Sequence, residues 1–188
     1  MQDLSQTLYP AYKGQRNPKP DDLEALLGQA ATLMTQAGAM PAAAPNHEAD
    51  DVLGTLARRA PGPVVIVTSD RDLLSTVTDQ VSVFDPRTRQ VMTPADVQRR
   101  FGVPPARMTL FKSLCGDASD NIPGVHGLGE KGSAHLAHLY STVDEVFAHA
   151  PSVELRYRKP LLAANRSEIE LFFQLVTVRV DAPVVRVR

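Results

Sequence analysis

A single cysteine, Cys115, serves a chain of 188 residues, so no internal disulfide holds it together. Such thrift with cysteine is expected of a protein kept in a reducing cytoplasm. Tryptophan is absent and aromatics make up only 5%, so a core must come from Val, Leu and Ala. No run of 18 apolar residues exists, and the N-terminus lacks the basic-then-apolar order of a signal peptide. The expectation is a soluble, cytoplasmic chain with no membrane partner. Five histidines, His47, His126, His135, His138 and His149, are not spaced as a zinc set. Neither sign of charge dominates, with a formal net of −1.

Proline and glycine are plentiful, at fifteen and eleven, and fall between apolar runs in the manner of an α/β protein. Residues 1–20 read as an irregular lead-in. Leu23, Leu26, Leu27, Ala30, Ala31 and Met34 recur at helical spacing after Asp21 and Asp22, with Gly38 as the stop. Ala39 to Pro45 reads as a short strand or an extended loop, and Glu48 to Ala60 as a helix. Pro63 to Thr68 is a β-branched run of the kind buried on both faces of a parallel sheet. Leu73 to Val77 suggests a short helix, Gln80 to Phe84 a second strand, and Thr93-Pro94-Ala95-Asp96 caps a helix to about Phe101. Alternating strands and helices predict a parallel sheet with right-handed crossovers. Helices follow around Met108 to Leu114, Ser133 to Tyr140, Val143 to Ala148 and Arg166 to Thr177.

Seven of the twenty-one carboxylates fall in three short clusters: Glu48, Asp50 and Asp51; Asp70 and Asp72; Asp117 and Asp120. Each has an ordinary explanation. Acids at a helix start complement its dipole, Asp70 and Asp72 suit an N-cap after a strand, and Asp117 and Asp120 suit a turn. Brought together they would repel by about 4 kcal/mol per pair at ~4 Å and an effective dielectric near 20, so convergence calls for cations. Carboxylates without His or Cys companions suit Mg²⁺ or Mn²⁺, and a paired-metal site of that kind does phosphoryl chemistry. Setting the seven aside turns the net charge from −1 to +6 for the remainder, basic enough to hold a phosphate backbone.

The segment from Ile122 to Gly132 holds four glycines in nine residues. Gly124, Gly127 and Gly129 suit a tight turn between helices that offers backbone N–H groups to a phosphate, with Lys131 adding charge. A flexible hairpin is the plainer reading. Tyr12, Lys13 and Arg16 read equally as a solvated basic lead-in or as contacts to a phosphate or nucleobase.

Three ordered motifs resemble the bacterial 5′-nucleases, the family of the 5′→3′ exonuclease domain of DNA polymerase I and of stand-alone flap endonucleases. They are Glu48-Ala49-Asp50-Asp51-Val52-Leu53-Gly54, Thr68-Ser69-Asp70-Arg71-Asp72-Leu73, and Gly116-Asp117-Ala118-Ser119-Asp120-Asn121-Ile122-Pro123-Gly124-Val125 through Gly129-Glu130-Lys131. The resemblance runs from Tyr9 to about Asp181. It implies a PIN-like α/β fold, a parallel sheet flanked by helices, with a helix-hairpin-helix-type DNA-binding module. The expected division is residues 1–106 and 107–188. It also implies two divalent ions, the first near Glu48, Asp50 and Asp51 and the second held by Asp70, Asp72, Asp117 and Asp120, with a monovalent cation at the glycine hairpin. The implied substrate is DNA with a free 5′ end, nick or flap.

The departure is at the front. Family members begin with two strands that each end in Asp, and nothing before Tyr9 resembles them, nor does Leu4-Ser5-Gln6-Thr7 supply the family's Arg. The expectation is therefore a fold without its N-terminal strands, with the edge of the Val64 to Val67 strand exposed. Such a chain is a truncated product, half of a split protein, or a diverged copy kept for DNA binding. Its expected partners are DNA, a polymerase or a separate N-terminal segment. A PIN-type ribonuclease is the third reading, against which the glycine hairpin argues.

Overall fold

The computed structural model describes residues 7–15 and 20–187; Arg16 lies outside them. Helix α1 (Asp21–Gln36) forms as its spacing predicts, and the chain leaves it through Gly38 at φ +92°. Its leucines face solvent, Leu26 and Leu33 being 59% and 62% exposed. Strand β1 (Ala42–Ala43) is short, and helix α2 (Ala49–Arg59) follows.

Three strands, β2 (Val64–Val67), β3 (Val81–Asp85) and β4 (Gln90–Met92), form one sheet in that order. Parallel pairing sets Ile66 opposite Val83, and antiparallel pairing sets Val83 opposite Met92. Two expectations are corrected here. The Gln90 to Met92 segment is the return arm of a hairpin, so the sheet is mixed. The β-branched run is buried on one face only: Ile66 is 4% exposed, Val65 and Val67 are 59% and 64%. Among the described residues β2 is an edge strand, as expected from the departure at the front.

A 3₁₀ turn at Asp72–Thr76 leads from β2 toward β3 and buries Leu73 and Leu74. Helix α3 (Pro94–Phe101) starts at a reciprocal Thr93–Asp96 capping box and stops at Gly102, φ +74°. The rest is mainly helical: α4 (Met108–Cys115), α5 (Gly129–Leu139), α6 (Val143–His149), α7 (Leu155–Ala163) and α8 (Arg166–Leu175). Helix α7 was missed by periodicity because Pro160 sits inside it, a residue that normally argues against a helix interior.

One core joins the halves. Leu110, Leu114, Leu136, Val146 and Phe172 belong to the same buried cluster as Ile66, Leu73, Val83 and Val97. The last segment then returns to α2, where the Ala182 N–H donates to Thr55 Oγ1 (3.0 Å) and Arg59 Nη2 donates to the Ala182 carbonyl (3.1 Å). It ends as β5 (Val185–Arg186), antiparallel to β1. Among the described residues no helix is long and apolar enough to cross a membrane.

Candidate metal centre and its surroundings

The segment before α1 is what gathers the acids. Lys13 N–H donates to the Asp120 carbonyl (3.0 Å), Asn121 Nδ2 donates to the Ala11 carbonyl (2.7 Å), and Gln15 Nε2 donates to Asn121 Oδ1 (3.0 Å). The lead-in is thus folded onto the third acidic turn. From there Lys13 Nζ reaches Glu48 Oε1 at 2.6 Å, drawing in the start of α2.

Asp50, Asp70 and Asp72 come together, each with a carboxylate oxygen within 4.8 Å of the others. Asp50 is on the first turn of α2, Asp70 follows β2, and Asp72 opens the 3₁₀ turn. Asp70 Oδ1 accepts from the Asp72 N–H (3.0 Å), which fixes the loop between them. Burial pushes the Asp50 carboxyl up, and the charge of Asp70 pushes it further; Lys13 opposes this, while Asp51 and Asp120 add to it. All three predicted clusters therefore act on one carboxylate. This donor set, all oxygen and strained by like charge, fits a hard divalent cation.

The predicted partition into two ligand groups is not what the structure displays. Asp50 joins Asp70 and Asp72, whereas Asp51 spends both oxygens on backbone, accepting from the Glu48 N–H (3.3 Å) and the Arg179 N–H (2.8 Å). Glu48 is engaged by Lys13, with the Tyr12 hydroxyl 3.5 Å from Oε2. Asp120 is 4% exposed.

Lys112 is the residue that sequence reasoning overlooked. Its side chain is 7% exposed, and its ammonium pairs with Asp72 and with Asp117 Oδ2, the latter at 2.7 Å. Burial pushes Asp117 up, but the Lys112 bond and charge and the bonds from Ser119 outweigh it and hold the pKa at about 2. One signal was available: Lys112 is the lone charge in the apolar helix Met108–Cys115. Beside these groups opens a cleft of about 630 Å³, with Asp70, Arg71, Arg87, Lys112 and Asp117 on its walls and Phe101 and Phe111 among its apolar lining.

The glycine hairpin divides in two. Gly124, at φ +66°, is packed against backbone, and a Cβ there would lie 2.4 Å from the Gly116 nitrogen. The Val125 N–H donates to the Leu114 carbonyl (2.8 Å), so this end packs against the end of α4. Gly127 and Gly129, at φ +81° and +65°, lie exposed before and at the start of α5, as does Lys131. Tyr12 is 1% exposed and belongs to the core; burial argues against both readings of it, the solvated lead-in and the contact to a phosphate or nucleobase.

Comparison with known proteins fits this geometry. The family model described as 5′-3′ exonuclease, N-terminal resolvase-like domain, matches residues 2–102, and that of the 5′-3′ exonuclease C-terminal SAM fold matches residues 103–187. DNA polymerase I of Thermus filiformis is 38% identical over 178 residues, covering 93% of this chain and 21% of the polymerase. That of Treponema pallidum is 35% identical, covering 94% and 18%. The chain thus spans about a fifth of the length of these relatives. Among solved structures, the T5 5′-exonuclease with bound zinc shares the fold at TM-score 0.70 and 23% identity, over 94% of this chain and 69% of that one. The T5 flap endonuclease in complex with DNA and metal ions does so at 0.67 and 22%, over 92% and 67%.

Proposed function

Since the chain belongs to the 5′-3′ exonuclease family, we propose that it hydrolyses DNA phosphodiesters at a 5′ end, nick or flap, using Mg²⁺ or Mn²⁺ at the acidic centre. The observation that carries this reading is the convergence of Asp50, Asp70 and Asp72 within 4.8 Å, with Asp70 also on the wall of the open cleft. A divalent ion bound there supplies a more acidic water and offsets phosphate charge.

The chain's own residues do the rest. Asp50, Asp70 and Asp72 are the ligands, and Asp120 adds negative charge that favours the ion. Lys112 holds Asp72 and Asp117 in place and carries a fixed positive charge into the cleft. Gly127, Gly129 and Lys131 grip duplex backbone at the start of α5 without reading bases. In this reading residues 1–106 carry the acidic centre's first two clusters, and residues 107–188 add the third cluster and the grip. Glu48 and Asp51 act as the frame that sets Asp50.

A second reading, DNA binding without turnover, is favoured by one observation: Asp72 and Asp117 already share the Lys112 ammonium. A 5′-flap cleavage assay in Mn²⁺ separates the two. Cleavage abolished by Asp70→Asn and by chelator supports hydrolysis. Tight flap binding with no Asp70-dependent cleavage supports the binding reading.

A further inference from the structure

A smaller cavity of about 170 Å³ adjoins the acidic centre beyond the carboxyl ends of β2 and β3, and three arginines line it. Arg71 comes from the loop between Asp70 and Asp72, Arg87 from the β3–β4 turn and Arg100 from the last turn of α3. Asp70, Arg71 and Arg87 also line the larger cleft, so the two spaces are contiguous.

The charges around this cavity are not settled within the protein. Arg71 and Arg100 form no ion pair with a described carboxylate; Arg87 reaches Asp85 only at 3.8 Å through Nε. Asp85 is otherwise engaged, accepting from Ser69 Oγ (2.8 Å) and the Arg87 N–H (2.9 Å). Arg87 is held in place because its Nη2 donates to the Ser69 carbonyl (3.1 Å), and Arg100 lies over the Phe101 ring at 5.3 Å. Arg87 and Arg100 so held, with Arg71 exposed beside them and donors to spare on each, match a tetrahedral oxyanion, since each fork meets two phosphate oxygens.

We propose that Arg71, Arg87 and Arg100 form a pocket for a phosphate of the DNA strand next to the one hydrolysed. This rests on the hydrolytic reading of the acidic centre. A strand whose scissile phosphate lies at Asp50, Asp70 and Asp72 passes directly into the contiguous cavity, and a neighbouring internal phosphate or a 5′-terminal phosphate fills it. Such a contact positions the strand and carries no sequence information.

The test is flap-DNA binding by fluorescence anisotropy in Ca²⁺ over a range of KCl, for the full chain and for Arg71→Gln, Arg87→Gln, Arg100→Gln, Arg87→Lys and the triple glutamine variant. Each glutamine variant should bind several-fold more weakly, equally on unrelated sequences, with the log-log salt slope reduced by about 0.9 per lost phosphate contact. Arg87→Lys, which keeps the charge, should recover most of the slope. Removing the 5′-phosphate distinguishes the two sources: a penalty seen in the unmodified protein and absent in the triple variant assigns the terminal phosphate, and an equal effect in both assigns an internal one. Unchanged slopes in all glutamine variants, with flap cleavage intact in the unmodified protein, overturn the pocket and leave the hydrolytic reading standing. An unmodified protein that neither binds nor cleaves flap DNA overturns both.

Discussion

Asp50 and Asp117 are driven in opposite directions: burial and like charge prevail at Asp50, whereas the Lys112 ammonium and the Ser119 bonds outweigh burial at Asp117. Asp50 is pushed up by burial and by Asp70, so in the ion-free protein its ionised form costs stability at neutral pH. Asp50→Asn should therefore raise the melting temperature without metal and abolish most of the gain that Mn²⁺ gives, as read by thermal melts in chelator and in Mn²⁺. Asp117 is held at about 2 from an ordinary 3.8. A lowered carboxyl stabilises the fold above its unfolded pKa and loses that contribution as pH falls through the folded one. The contribution, about 2 kcal/mol by the linkage relation, should vanish between pH 4 and 2. Urea unfolding across that window should have a shallower pH dependence in Asp117→Asn. Lys112→Met should cost more, about 3 kcal/mol, because it leaves Asp72 buried without its cation.

At the scale of elements, the glycine hairpin separates packing from recognition. Gly124→Ala meets the backbone of Cys115 and Gly116 at 2.6 Å or less and strains a positive φ, so a loss of about 3 kcal/mol or more is expected. Gly129→Ala has open space around its Cβ and should cost only about 1 kcal/mol for its left-handed backbone. Chemical denaturation of the two variants decides it. The sequence showed that a tight turn lies here, but spacing cannot say which glycine meets backbone; that depends on α4 ending at Gly116, a tertiary contact. The same limit hid the exposure of Val65 and Val67. A β-branched run reads alike in an edge strand and a central one, because periodicity records side chains and not neighbours. Local capping was legible: Thr93 with Asp96, and Gly102 after α3, follow rules contained within one turn.

For the whole molecule, the candidate centre was legible as three clusters and illegible as a grouping. Which carboxylates meet is set by the docking of the Tyr9 to Gln15 segment on the Asp117 turn and by the return of the C-terminal segment to α2, contacts that span more than a hundred residues of chain. Asp51 stands outside the Asp50, Asp70 and Asp72 group, its oxygens accepting from the Glu48 and Arg179 N–H groups. Among the described residues the β2 edge and the leucines of α1 are open apolar surface, and such surface invites self-association. Val67→Lys should lower concentration-dependent association in sedimentation velocity while leaving unfolding unchanged within about 0.5 kcal/mol.

The central claim is that Asp50, Asp70 and Asp72 together hold a divalent ion. Calorimetric titration of Mn²⁺ into the full chain, into Asp70→Asn and into Asp51→Asn tests it most directly. The expected result is a clear loss of affinity in Asp70→Asn and a smaller change in Asp51→Asn, whose carboxylate is engaged by backbone. Equal Mn²⁺ affinity in the unmodified chain and in Asp70→Asn, with both folded, would contradict the assignment.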